Sequence, residues 1–120
     1  MDDDRPIFLQ IAELIENSII DGSLAEEDQV PSTNELAAFH RINPATAAKG
    51  INQLVADGVL YKRRGIGMFV ATGARAQLLA QRRQDFGRQY IAPLLAEARK
   101  LGMDAEQVKK MIDMWGEEAT

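Results

Sequence analysis

Apolar residues recur at steps of three and four near the start of the chain: Ile7, Phe8, Ile11, Leu14, Ile15 and Ile19. Glu13, Glu16 and Asn17 take the opposite side. This period predicts an amphipathic core helix that begins at Pro6 and ends at Asp21-Gly22, with residues 1–5 frayed ahead of it. Ser23 to Val30 reads as a polar connection. Ser32 with Glu35 three residues on forms a capping box, in which hydroxyl and carboxylate each take an orphan amide. It opens a short second helix with Leu36, Ala37 and Phe39 facing inward. The stretch His40-Arg41-Ile42-Asn43 is a four-residue turn into a third helix over 44–57. Asn43 caps that helix, and Pro44 suits its first position because a proline has no N–H to leave unpaired. Ala47, Ile51, Leu54 and Val55 give it an apolar stripe, and Gly58 stops it.

The period then changes. Val59-Leu60-Tyr61 and Met68-Phe69-Val70 are rich in strand formers. They flank a basic turn, Arg63-Arg64-Gly65-Ile66-Gly67, whose glycines permit positive φ. Two short helices joined by a tight turn, followed at once by a two-stranded hairpin, have the layout of a winged helix-turn-helix. In that layout helix 44–57 enters a DNA major groove, and the hairpin tip, residues 62–68, is the wing at the minor groove.

After a joint at Ala71 to Ala74 the helical period returns, through Leu78, Leu79, Phe86, Tyr90, Ile91, Leu94, Leu95, Ala98 and Leu101. Pro93 lies inside this run. A proline in a helix interior costs about 3 kcal/mol, so a kink or break is expected near Gln89 to Ile91. Gly102 ends the run. Asp104 and Gln107 form a second capping box, and Val108, Met111, Ile112 and Trp115 make the last apolar face. The fold class is therefore mainly α with a small β-hairpin. A winged helix-turn-helix over 1–73 precedes an antiparallel helical tail over 74–120. Such a tail cannot bury its own apolar faces. It either folds back on its own winged domain or meets the same pair from a second chain. Palindromic half-sites mirror a protein dyad, which favours a homodimer through Phe86, Tyr90, Leu94, Leu95, Met111, Ile112 and Trp115.

Charge changes the picture by its distribution. The net charge of −4 argues on its face against nucleic acid. Between His40 and Val70, however, Arg41, Lys49, Lys62, Arg63 and Arg64 face Asp57 alone, while the acidic excess sits in Asp2 to Asp4 and in Glu26-Glu27-Asp28. The absence of Cys excludes disulfides and thiolate metal sites. No apolar run approaches the roughly 18–20 residues of a membrane span, and the acidic N-terminus is the opposite of a secretory signal. The expectation is a soluble cytoplasmic protein with no membrane partner.

Candidate chemistry gathers in the winged region. Ser32, Thr33 and Asn34, at the start of the second helix, offer hydroxyls, an amide and free backbone N–H groups to a phosphate. Arg41 lies in the turn. Thr46 and Lys49 stand on the third helix opposite Ile51 and Leu54, where they can reach base edges or phosphates, and either Asn52 or Gln53 adds to them. Arg63 and Arg64 on a glycine turn suit a narrow minor groove. Arg64 to Gly67 is no nucleotide-phosphate loop, because no lysine-serine or lysine-threonine follows. His40 has no second histidine or cysteine to complete a ligand set. Glu26, Glu27 and Asp28 cluster in what reads as a flexible acidic loop with no base or nucleophile beside it. The chain reads as a non-enzyme without a cofactor.

These segments carry a resemblance. PIFLQIAELIENSIIDGSL, VPSTNELA and INPATAAKGINQLVADGVLYKRRGIGMFV, in that order, resemble the GntR family of bacterial transcription regulators, and more narrowly its YtrA-type members. The resemblance implies a regulator that binds an operator as a homodimer. By position it assigns DNA contact to Ser32, Thr33, Arg41, Pro44, Ala45, Thr46, Lys49, Arg64, Gly65, Ile66 and Gly67. The family usually has arginine where Asn34 stands and threonine where Met68 stands. The short tail resembles that of the YtrA type. The expected function is a dimeric, sequence-specific regulator, a repressor, on double-stranded DNA. The alternatives are a winged-helix module for protein contact, or a regulator with a small-molecule effector held between the dimer tails by Phe86, Tyr90, Met111 and Trp115.

Overall fold

Local signals explain most element boundaries in the computed structural model, which describes residues 4–119. Helix α1, Ile7–Ile20, follows Pro6, whose carbonyl accepts from the Leu9 and Gln10 amides. Its inward face is turned from the expected one. Ile11, Ala12, Ile15 and Ile19 are buried, whereas Ile7 and Leu14 are exposed at the margins. The frayed start expected over 1–5 falls partly on residues 1–3, which lie outside the described residues. Arg5 is tied down: its carbonyl accepts from Gln10 Nε2 at 2.9 Å and its guanidinium pairs with Glu13.

Helix α2, Thr33–His40, opens on the capping box. The Glu35 amide donates to Ser32 Oγ at 3.1 Å, and the Ser32 amide donates to Glu35 Oε1 at 3.2 Å. It ends at Arg41, whose φ of 55° and ψ of 50° are left-handed, and the Ile42 amide returns to the Ala37 carbonyl at 3.0 Å. Phe39 corrects the expectation of an inward face. It is 81% exposed, and Leu36 and Ala37 are the buried residues of α2. In a helix of eight residues the inward stripe runs from Leu36 to its i+4 neighbour, the half-buried His40.

Helix α3, Pro44–Ala56, starts with the Ala45 amide donating to Asn43 Oδ1 at 2.7 Å and buries Ala47, Gly50, Ile51 and Leu54. Strands β1, Leu60–Arg63, and β2, Gly67–Val70, pair antiparallel, with Leu60 opposite Val70 and Tyr61 opposite Phe69. The connection after α1 is less irregular than its sequence implies. Gln29 forms an isolated antiparallel bridge to Phe69, beside β2. Ile11, Ile19, Ile51, Leu54, Val59, Leu60 and Val70 form the centre of the core, joined by Ala74 and Leu78.

The chain divides into two compact units, the first running to Ala80 and the second starting at Gln81, so the boundary falls within helix α4, Ala74–Phe86. In the second unit a π-helical turn, Gly87–Ile91, leads into α5, Ala92–Lys100. Pro93 explains the widened turn. It has no N–H for the Gln89 carbonyl, and the Ala92 amide reaches back five residues to Gly87 instead. A tight turn closed by the Met103 amide on the Ala98 carbonyl at 2.9 Å leads to α6, Ala105–Ala119. Asp104 and Gln107 form the second capping box, both bonds at 2.9 Å. No helix among the described residues is long and apolar enough to cross a membrane.

Candidate nucleic-acid interface

The first unit holds α3 at a fixed depth. At Gly50 an added Cβ would lie 2.7 Å from the Phe8 carbonyl oxygen of α1. The missing side chain lets the two helices approach, and it anchors one stripe of α3 while Pro44, Ala45 and Lys49 stay exposed and Thr46 half-buried. Lys49 leans over the Phe8 ring, with Nζ 4.2 Å from its centroid, so an aromatic face orients this cation. Gln53 donates to Asp57 at 3.1 Å, which leaves the exposed Asn52 as the freer amide of the two.

Ahead of α3, Arg41 occupies the left-handed position usually given to glycine, with its side chain exposed. At the start of α2 the Ser32 hydroxyl oxygen accepts the cap bond and keeps its O–H to donate, while Thr33 and Asn34 lie in the first turn, whose amides have no partner inside the helix.

The two arginines of the hairpin differ. Arg63 is docked: its guanidinium lies 4.6 Å from the Phe69 ring centroid and donates to the Tyr61 hydroxyl at 3.2 Å. Tyr61 stacks on Phe69 at 5.9 Å and donates to Glu27 Oε2 at 2.6 Å, and this hydrogen bond to the Glu27 carboxylate pushes the Tyr61 phenol above its ordinary pKa. Arg64 lies beyond this cluster, exposed at the tip with Gly65 and Ile66. The turn is closed by the Ile66 amide on the Arg63 carbonyl at 3.0 Å and braced by Gln29 Nε2 on the Ile66 carbonyl at 3.0 Å. Met68, where the resemblance leads one to look for threonine, packs against the core.

The acidic stretch is not the flexible loop expected. Glu27 also accepts from Thr72 Oγ1 at 3.3 Å, Glu26 from the Gly73 amide at 2.9 Å, and Asp28 from the Ala25 amide at 2.9 Å. Glu26 and Glu27 brace the hairpin and the joint after it, and Asp28 closes its own turn. Reading residues in order missed Gln29, Glu27 and Tyr61, because their partners lie more than thirty positions away and leave no periodic trace.

In the second unit the expected interface residues divide. Leu94, Met111, Ile112 and Trp115 line one groove of 390 Å³ with Glu97, Ala98, Leu101, Met103 and Val108. Trp115 is 66% exposed there. Leu95 is half-buried, while Phe86 and Tyr90 are exposed outside the groove with their rings 5.4 Å apart.

Comparison with known proteins agrees with this geometry. Residues 8–70 match the gntR family of bacterial regulatory proteins. The HTH-type transcriptional repressor YtrA of Bacillus subtilis is 25% identical over 89% of this chain and 82% of its own length. The crystal structure of a transcriptional regulator from Oenococcus oeni is 30% identical, covers 94% of this chain and 92% of its own, and superposes with a TM-score of 0.82. AraR(DBD), solved in complex with operator ORX1, is 34% identical over 56% of this chain and 81% of its own, with a TM-score of 0.54. The chain belongs to the gntR family of bacterial regulatory proteins and is a DNA-binding transcriptional regulator, not an enzyme.

Proposed function

We propose that the chain is a cytoplasmic, homodimeric repressor that reads a palindromic operator. In this reading residues 1–73 bind DNA and 74–120 dimerise. The exposed start of α3, with Pro44, Ala45, Thr46 and Lys49, lies in the major groove. Ser32, Thr33, Asn34 and Arg41 hold phosphates beside it. Arg64, Gly65 and Gly67 meet the minor groove, and Arg63 supports them from behind. The observation that carries the reading is the Gly50 crossing: it commits one stripe of α3 to α1 and leaves the opposite stripe, flanked by exposed cations, free for a duplex. The dimer reading is supported by the apolar groove between α5 and α6 and by the exposed Met111, Ile112 and Trp115.

Selection from a pool of random duplex DNA at two salt concentrations tests it. The expected result is enrichment of a two-fold symmetric site that survives the higher salt. Binding that vanishes with salt and enriches no site overturns sequence-specific reading. A second reading, a small-molecule effector in the tail, is favoured by the size of the same groove, since binding pockets begin at roughly 300 Å³. It predicts that a ligand shifts operator affinity while the tail stays dimeric.

A further inference from the structure

Gln29 lies outside every motif of the sequence, yet its side chain reaches the tip of the wing. Its backbone runs beside β2. The Val30 amide donates to the Met68 carbonyl at 2.9 Å, the Glu27 amide to the Val70 carbonyl at 2.8 Å, and the Val70 amide to the Asp28 carbonyl at 3.0 Å. From this fixed backbone, Gln29 Nε2 donates to the carbonyl of Ile66, 37 positions away, at 3.0 Å. The amide crosses Gly67 to get there. Gly67 has a φ of 145°, and a Cβ on it would lie 2.6 Å from Gln29 Nε2. Glycine at 67 therefore serves the backbone angle and also clears the path of the Gln29 side chain.

We propose that Gln29 is a positioning residue of the DNA-binding wing, pinning the Ile66 carbonyl so that the turn presents Arg64 to the duplex in one conformation. The inference rests on the reading of the wing as a DNA contact. A turn containing two glycines has many accessible conformations when unbraced, and ordering it on binding costs affinity. The Gln29 bond orders it in advance. Arg63 cannot substitute as the brace, because it is held on the Phe69 and Tyr61 rings on the strand side of the tip.

The test uses the full chain and the duplex obtained by selection, with Gln29→Met, Arg64→Ala and the double variant. Methionine keeps the length of the side chain and removes its donors. Gln29→Met is expected to weaken binding about fivefold, the size of one net hydrogen bond, and to add nothing to Arg64→Ala. Amide exchange at Ile66, whose amide closes the turn, is expected to speed up while the strand ladder from Tyr61–Phe69 inward keeps its protection. Wild-type affinity for Gln29→Met, full additivity in the double variant, or unchanged exchange at the tip each overturns the proposal. If Arg64→Ala alone leaves affinity and salt dependence unchanged, the wing reading fails, and the proposal falls with it.

Discussion

The Gly50 α-carbon sits beneath the Phe8 carbonyl, close enough that a methyl group there would come within 2.7 Å of that oxygen and 3.2 Å of Ile11 Cγ2. The oxygen is backbone inside α1 and cannot rotate away. In an exposed helix, Gly→Ala gains about 1 kcal/mol of propensity. Here overpacking of about 1–3 kcal/mol opposes that gain. Gly50→Ala is expected to lower the urea midpoint, and a raised midpoint would show that α3 can move off α1 at no cost.

In the proposed reading the two wing arginines separate into a support and a contact. Arg64→Ala is expected to reduce the slope of log affinity against log salt by about one unit. Arg63→Ala is expected to leave that slope unchanged and to destabilise the chain by about 0.5–1 kcal/mol through loss of its aromatic contacts. Equal slope losses in the two variants would mean that Arg63 leaves Phe69 to reach a phosphate.

Tyr61 gives the wing a high-pH limit. Its phenol is held above its ordinary value first by the hydrogen bond to Glu27. A raised folded pKa means that the contribution is complete below the unfolded value of about 10 and is lost as pH climbs through the folded value. Absorbance titration of a Tyr90→Phe chain, which leaves Tyr61 as its tyrosine, reads this group alone. Adding Glu27→Gln is expected to move its ionisation to lower pH. An unmoved titration would remove Glu27 as the cause.

The tail prediction concerns assembly. Leu94→Glu with Trp115→Glu places two carboxylates in the apolar groove and is expected to yield monomers in sedimentation that bind the symmetric duplex poorly. A dimer that persists through both changes would assign the interface elsewhere.

Features encoded within four residues were legible in the sequence. Ser32 with Glu35, Asn43 with Pro44, and Asp104 with Gln107 each form the cap their spacing implies, because a helix start is a local contest for a few amides. Pro93 marked an irregularity for an equally local reason, though it takes the form of a π-helical turn and not the expected kink or break. Helix faces were harder. Two turns of α2 contain too few positions to fix a stripe, so Phe39 and His40 exchanged roles. The bracing of the wing was not legible. Gln29, Glu27 and Tyr61 look like unremarkable polar and aromatic positions until folding sets one strand beside another. Composition located the basic turn, but the split between Arg63 and Arg64 depends on Arg63 ending β1 beside the Phe69 ring while Arg64 falls in the turn beyond it.

In the proposed reading Arg63, docked on Phe69 and Tyr61, neutralises no phosphate and so displaces no counterion from the DNA. Each such charge withdrawn from the phosphates lowers the affinity for arbitrary sequence and leaves the base-reading contacts untouched. A chain already acidic at −4 that withholds a charge in this way is expected to dwell briefly at wrong sites. Such a chain would search a chromosome by frequent release, with occupancy of the operator depending on shape and base edges more than on bulk attraction.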